Sequence, residues 1–294
     1  MKAFAQFHPV VLLFYFGIVI GLTMFMMNPL FLVISLVNAL VLACTLTNLK
    51  SFQKGLRYFA FLFLIIAVTN PLFVHDGMTI LFFINNKPIT LESFYYGLAI
   101  AAMLIAVIYW FQSFNQVLTS EKIIYLFGRI APAFALMLSM TLGMIAKTKR
   151  QMRKINDAQK TMGMDIGAGS ILARLKSSMR TISILITWLL ENGVDTADSM
   201  RARGYGLHGR TTYSPYRFTK RDAAMLGIIG ILFVVVLISI KYGANQFYYY
   251  PTISISAIKA ESIIGASAFL LLSSLPIVVQ IKEVFQWRWF QSKM

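Results

Sequence analysis

The chain has 294 residues, of which 58% are hydrophobic and only 13% charged, and its mean hydropathy is +0.70. Soluble domains usually carry about 25% charged residues, so this composition excludes an ordinary soluble protein and predicts an all-α, polytopic membrane protein. The net charge of +16 does not indicate a nucleic-acid partner, because the Lys and Arg residues flank apolar segments, as they do in the cytoplasmic loops of membrane proteins.

Six apolar segments are long enough to cross the hydrocarbon core as helices, which rise about 1.5 Å per residue. Lipid offers no partners for backbone hydrogen bonds, so each segment is expected to be helical. The first is too long for the apolar part of a signal peptide and lacks a small-x-small cleavage site, so it is expected to be retained. In chain order the predicted spans are 10–27, 29–47, 58–74, 92–112, 223–240 and 262–281.

Basic residues predict the orientation of these spans. With six spans, the most basic loops all fall on one side of the membrane, which is expected to be the cytoplasmic side of a prokaryotic plasma membrane. Both termini are then cytoplasmic. The intervening loops, such as 75–91 and 241–261, are poorer in charge. The cytoplasmic cations outside the largest loop are Lys50, Lys54, Arg57, Lys122, Arg129, Lys282, Arg288 and Lys293.

Two further apolar segments are too short to span. Residues 131–146 have basic loops on both sides, so a full crossing there would break the charge pattern. We expect instead a helix that starts at the membrane or in a packed interior and continues into the basic region. Residues 80–84 are expected to form a re-entrant segment or a surface turn.

The block 147–222 contains fifteen Lys and Arg against six Asp and Glu, so it contributes +9 of the net +16. It separates the predicted spans into two groups. The chain therefore divides into N-terminal transmembrane helices (1–130), a cytoplasmic region of long helices (131–222) and C-terminal transmembrane helices (223–294). A charged block of this kind is expected to face a cytoplasmic partner.

Two long helices are predicted in this region. In the second, apolar residues recur at spacings of three and four, which places them on one face, for burial against a partner helix or along the membrane interface. If this helix runs through Gly193, Arg203 continues the same face. The earlier helix has a weaker stripe of Ile145, Met152, Ile155 and Met162. The residues of the second stripe are Leu172, Leu175, Met179, Ile182, Ile186 and Leu189.

Glycine is predicted to end both helices, at Gly163 after Met162 and at Gly204 after Arg203. Glycine is common just beyond a helix because it adopts the left-handed conformation at little cost. An arginine beside such an end offers five donors in a planar fork that matches a carboxylate. The region therefore presents two helix ends as candidate docking points.

The segment Ala202-Arg203-Gly204, preceded by Arg201, resembles the second Ala-Arg-Gly signature of the transmembrane T component of energy-coupling factor (ECF) transporters, the CbiQ-like family. Residues 158–163 (Ala-Gln-Lys-Thr-Met-Gly) resemble the first signature, about forty residues upstream, and the resemblance extends from 132 to 206. The chain departs from the family where its first arginine falls at Met162. That contact is then apolar, weak, or taken over by Lys160.

The resemblance implies a non-catalytic coupling subunit of an ECF-type ABC importer. Two cytoplasmic ABC ATPase subunits would contact the two helix ends, through Ala158, Lys160, Met162, Gly163, Arg201, Ala202, Arg203 and Gly204. A small membrane protein, the S component, would bind the vitamin or metal ion and release it as the ATPases move the helices. The resemblance does not identify the transported compound, or whether the two ATPases are identical.

Other functions are less well supported by the residues. The chain has no G-x-x-x-x-G-K-[ST] phosphate loop, and His8, His75 and His208 are scattered, so neither ATP hydrolysis nor a metal or other cofactor site is expected. Asp195 and Asp198 form a D-x-x-D pair without the second acidic cluster of a membrane prenyltransferase. A stand-alone secondary transporter remains the main alternative, although the spans contain almost no charge. Their polar residues, Asn38 and Asn70, are equally suited to hydrogen bonds between helices.

Overall fold

The computed structural model describes residues 3–74, 77–84, 87–163, 170–207, 216–251 and 260–291. Within these ranges nine α-helices follow a short 3-10 helix (Ala3–Gln6), with one pair of strands between the third and fourth helices. The elements are α1 (Pro9–Phe25), α2 (Pro29–Leu46), α3 (Leu49–Phe73), β1 (Ile80–Ile84), β2 (Lys87–Thr90), α4 (Leu91–Val117), α5 (Ser120–Ile130), α6 (Pro132–Thr161), α7 (Ile171–Ala202), α8 (Lys220–Lys241) and α9 (Ala260–Gln291).

Five of the six predicted spans are confirmed as helices long and apolar enough to cross a membrane: α2, α3, α4, α8 and α9. The first predicted span, 10–27, forms α1, which has only 17 residues. Its length of about 26 Å is at the lower limit for crossing a membrane, which takes roughly 17–25 residues. The protein is thus a nearly all-α, multi-pass membrane protein.

The chain folds as two compact units. The membrane unit comprises residues 1–122 and 216–294 and holds the five long apolar helices. The insert unit comprises residues 123–215 and contains α6 and α7.

Buried hydrogen bonds connect the helices of the membrane unit. Nε1 of Trp110 in α4 donates to Oγ of Ser35 in α2 at 3.0 Å, and that oxygen lies 2.7 Å from the hydroxyl of Thr23 in α1. Asn38 of α2 donates to Oγ of Ser273 in α9 at 2.9 Å, so Asn38 forms a hydrogen bond between helices. Since lipid does not compete for these groups, such bonds help to fix which helices are neighbours.

The segment 80–84 is β1 and pairs antiparallel with β2, rather than forming the expected turn or re-entrant segment. Its aromatic and β-branched residues favour a strand. The strand pair is fixed to the start of α4, because the backbone N–H of Thr79 donates to the buried carboxylate of Glu92 at 3.3 Å. The N–H of Met78 donates to the carbonyl oxygen of Pro251 at 3.2 Å, which adds the segment before α9 to the same end.

Residues 3–8 form hydrogen bonds with two segments of the membrane unit, one before and one after the insert in sequence. Nζ of the buried Lys122 donates to the carbonyl oxygens of Ala5, at 2.6 Å, and Val117, at 2.9 Å. The N–H of His8 donates to Oδ1 of Asp222 at 2.8 Å, and Asp222 in turn forms a capping box with Thr219 at the start of α8. The segments around Lys122 and Asp222 are therefore both hydrogen-bonded to residues 3–8.

Glycine at position 97 is required by the close packing of α3 on α4. A Cβ atom there would lie 2.7 Å from the carbonyl oxygen of Ala67 and 3.1 Å from Cβ of Asn70. We predict that Gly97→Ala lowers the free energy of unfolding by about 1–3 kcal/mol, because neither neighbour is a flexible side-chain end. Thermal unfolding in detergent would measure this effect.

The matched control is Gly21→Ala in α1, where no atom lies within 4 Å of the added Cβ. This change is expected to leave the midpoint of thermal unfolding unchanged or raise it slightly, because alanine favours a helix over glycine by up to about 1 kcal/mol. Equal midpoints for the two variants would contradict the close packing of α3 and α4.

Candidate functional site

Helices α6 and α7 are joined by a buried polar contact. The hydroxyl of Thr181 in α7, with only 1% of its surface exposed, donates to Oε1 of Gln159 in α6 at 3.0 Å. It also lies 3.5 Å from Oδ1 of Asn156. Ile155 and Gln159 are buried. This contact determines where along their lengths the two helices cross.

The C-terminal end of α6 lies directly beyond that crossing. The helix ends at Thr161, Met162 follows as its cap, and Gly163 adopts a positive φ of 74°. The N–H of Gly163 donates to the carbonyl oxygen of Lys160 at 3.0 Å. The predicted glycine end is thus confirmed. Ala158, Lys160, Met162 and Gly163 are all exposed, so this end displays one cation and one large apolar side chain.

The C-terminal end of α7 has the full geometry of a Schellman motif. The N–H of Gly204 donates to the carbonyl oxygen of Arg201 at 2.9 Å, and the N–H of Tyr205 donates to that of Met200 at 3.0 Å. Gly204 has a φ of 76°. Together these bonds satisfy carbonyls that a helix end otherwise leaves unpaired. The backbone around Arg203 is therefore well ordered, and the predicted glycine end is confirmed here as well.

Two guanidinium groups project from this end. Arg201 lies 4.0 Å from the carboxylate of Asp198, but both side chains are largely exposed, so their attraction is weak. Arg203 is exposed and has no carboxylate partner within the described ranges of the chain. A free guanidinium on an ordered backbone can bind an acidic group without first breaking another ion pair.

The two helix ends are far apart. Gln159, at the crossing, is two residues from the end of α6, whereas Thr181 is twenty-one residues from Ala202, the last residue of α7. At 1.5 Å per residue the end of α7 lies about 30 Å from the crossing, and the end of α6 lies within about 5 Å of it. The structure therefore separates the residues of the first predicted signature from those of the second.

Helix α7 runs without a break through Gly193, so Arg203 follows the same helix as the predicted stripe. The stripe is not buried against α6. At 100° per residue its centre lies about 130° around the helix from Thr181. Of the six stripe residues, five are exposed and Leu189 is half-buried.

Sequence reasoning missed the residues that join the helices. Asn156, Gln159 and Thr181 are polar, so a search for apolar residues did not select them. Gln159 lies on the same side of α6 as its weaker stripe, whereas Thr181 lies outside the stripe of α7. Nε2 of Gln159 is buried and has no hydrogen-bond partner in the described part of the chain. Of the three histidines, His75 and His208 lie outside the described residues.

Comparison with known proteins supports the resemblance deduced from the sequence. The chain is 33% identical over 104 residues to the energy-coupling factor transporter transmembrane protein EcfT of Lactococcus lactis, covering 35% of this chain and 38% of that protein. It is 34% identical over 104 residues to EcfT of Exiguobacterium sibiricum, covering 34% and 40%. EcfT of Heliobacterium modesticaldum is 31% identical over 104 residues, covering 35% and 39%.

The resemblance to ECF T components is confirmed. The similar region spans about two fifths of the length of these curated relatives and about a third of this chain. No protein-family model matches the chain.

Gly204 offers a test of the ordered end of α7. We predict that Gly204→Ala strains this end by about 1–2 kcal/mol, because the left-handed backbone crowds a Cβ atom. The new methyl group would also lie 3.0 Å from Cδ1 of Leu207. Hydrogen–deuterium exchange should become faster at the amides of Gly204 and Tyr205, which close the motif.

Gly193→Ala is the matched control, because Gly193 lies inside α7 with no atom within 4 Å of an added Cβ. Its exchange rates should stay the same or become slower. If Gly204→Ala left exchange at the helix end unchanged, the Schellman geometry would not be what orders Arg203.

Proposed function

We propose that this protein is the membrane-embedded coupling subunit of an ECF-type ABC importer in a prokaryotic plasma membrane. The observation that carries the proposal is the end of α7, where the exposed Arg203 has no carboxylate partner in the described chain and follows an ordered helix end. The similarity to EcfT proteins supports it. The subunit is itself non-catalytic, and ATP is hydrolysed by its partners.

Arg203 binds an acidic groove on one ATPase. Its planar fork can form two parallel hydrogen bonds with a carboxylate, which fixes the angle of approach as well as the position. Arg201 and the residues Ala202 and Gly204 lie in the same contact. Motion of the ATPase then acts on a helix of 32 residues.

The distance between the helix ends favours two ATPase subunits. Contacts about 30 Å apart suit two neighbouring proteins better than a single groove. The contact at the end of α6 has different chemistry, because Met162 is 64% exposed and Lys160 supplies the cation there. An apolar pocket is therefore expected on the ATPase that receives this end, and the two contacts are unequal.

The exposed stripe of α7 is the proposed contact for the substrate-binding S component. The stripe is apolar, continuous over about five turns, and turned away from α6. Such a surface needs cover from a partner helix or from lipid. The S component would carry the vitamin or metal ion, and movement of α7 would tilt it. In this proposal both termini of the chain and the basic loops lie in the cytoplasm, together with the ATPases.

Reversing the charge of Arg203 tests the ATPase contact. We predict that Arg203→Glu weakens ATPase binding by at least about thirtyfold, because loss of a buried interfacial charge pair costs about 2–5 kcal/mol. The measurement is recovery of both ATPases when the tagged protein is purified from membranes. Membrane insertion should be unaffected, since Arg203 lies in the insert unit.

Lys176→Glu is the matched control, because it makes the same charge change at another exposed position on α7. It should retain the ATPases. Recovery of the ATPases by Arg203→Glu at the level of the unmodified protein would count against the proposal. The alternative, a stand-alone secondary transporter, would instead move a substrate across liposomes without partners, driven by an ion gradient.

A further inference from the structure

We propose that α6 carries a binding site for anionic phospholipid head groups, formed by Lys147, Lys149, Arg150, Arg153 and Lys154. These five residues are called the cationic face below. All five are exposed, and none has a carboxylate partner in the described ranges. The inference concerns lipid alone and does not depend on the ATPases or the S component.

The cations lie together on one side of α6. At 100° per residue they fall within an arc of about 160°. Ile155, Asn156 and Gln159, which face α7, occupy the other side, with a centre about 150° away from that of the cations. The cationic face is therefore not used to pair α6 with α7.

One acidic residue shares this arc. Asp157 is exposed and follows the last cation by three residues, and it forms no ion pair in the part of the chain that the structure describes. The face thus has five positive charges and one negative charge. Its preference is for a polyanion or a surface with many phosphates, rather than for a single carboxylate.

The first half of α6 indicates lipid rather than protein as the partner. Residues 132–146 contain no charge, and apolar side chains are exposed on several sides of the helix, including Phe134, Met140 and Leu142. A helix that is apolar all round and uncovered by protein is suited to hydrocarbon. Its length of about 22 Å is too short to cross a core of about 30 Å.

The cationic face begins at Lys147, directly after the apolar half ends at Ala146. With the apolar half in the acyl chains, the cations reach the level of the phosphates, where each Lys or Arg favours an anionic surface. The centre of the face lies about 17 Å along the helix from Met162. Lipid binding and the contact proposed at the end of α6 therefore use separate parts of the helix.

The single cysteine of the chain permits a local measurement. In a Cys44→Ser background, Ala146→Cys places one fluorophore at an exposed position on the cationic side of α6. The full-length protein is placed in phosphatidylcholine nanodiscs that contain increasing fractions of spin-labelled phosphatidylglycerol or spin-labelled phosphatidylcholine. We expect phosphatidylglycerol to quench the fluorophore at a lower mole fraction than phosphatidylcholine.

The triple variant Lys149→Gln, Arg150→Gln, Arg153→Gln removes the centre of the face. The mole fraction of phosphatidylglycerol that gives half-maximal quenching should rise at least about tenfold, since each cation near the surface contributes about a fivefold preference. The matched control removes the same charge from a different helix of the insert unit, α7. Its substitutions are Arg174→Gln, Lys176→Gln and Arg180→Gln, and it should keep the preference for phosphatidylglycerol.

Two results would overturn the inference. One is equal quenching by phosphatidylglycerol and phosphatidylcholine when the cationic face is unsubstituted, and the other is an unchanged preference for phosphatidylglycerol in the triple variant. A triple variant that kept the preference but lost the ATPases would assign the face to a protein partner and would also overturn it. If the triple variant did not insert, Arg150→Gln and Arg153→Gln singly should each raise the half-maximal fraction severalfold. Retention of the ATPases by Arg203→Glu would contradict the coupling proposal alone.

Discussion

The arrangement of the insert unit depends on one contact, the hydroxyl of Thr181 against Gln159 and Asn156. Ile155 is buried at the crossing, and the hydrogen bonds of Thr181 add specificity to the pairing of α6 and α7. Because the contact is near the end of α6 but in the first half of α7, it leaves the two helix ends about 30 Å apart. It also leaves the stripe of α7 and the cationic face of α6 uncovered. The position of this crossing therefore leaves four separate surfaces available to partners: the two helix ends, the stripe of α7 and the cationic face of α6.

Hydrogen bonds have a related role in the membrane unit. In water, helices associate mainly by removing apolar surface from solvent, but in lipid that driving force is absent and packing and polar contacts decide which helices meet. Trp110, Ser35 and Thr23 connect three helices through one buried series of polar atoms. Gly97 permits the close approach of α3 and α4. The proposed function needs such a rigid unit, because a coupling subunit that deformed would absorb the motion it has to transmit.

Local sequence signals predicted much of this structure. The lengths of the apolar segments predicted five of the spans, and Gly163 and Gly204 predicted the ends of α6 and α7. Both kinds of prediction succeed because helix length and helix termination depend on residues that are close in sequence. The sequence left open whether α7 continues through Gly193, and the structure shows that it does. The resemblance to T components also came from a short signature, Ala202-Arg203-Gly204, and the comparisons with EcfT proteins agree with it. The roles of the individual signature residues stay predictions.

Contacts between distant residues could not be predicted in this way. Periodicity shows which side of a helix is apolar, but it does not show that Thr181 meets Gln159, or that Asn38 meets Ser273. The strand pair at 80–90 was missed because a short run of five apolar residues has no period that separates strand from turn. The first helix is one residue shorter than the predicted span 10–27, because its C-cap falls at Met26.

The hydrogen bonds of residues 3–8 have a mechanical consequence. The start of α5 is held through Lys122 and Ala5, and the start of α8 is held through Asp222 and His8. Residues 3–8 therefore link two segments of the membrane unit that lie 100 residues apart in the chain, so a displacement of either segment is passed to the other.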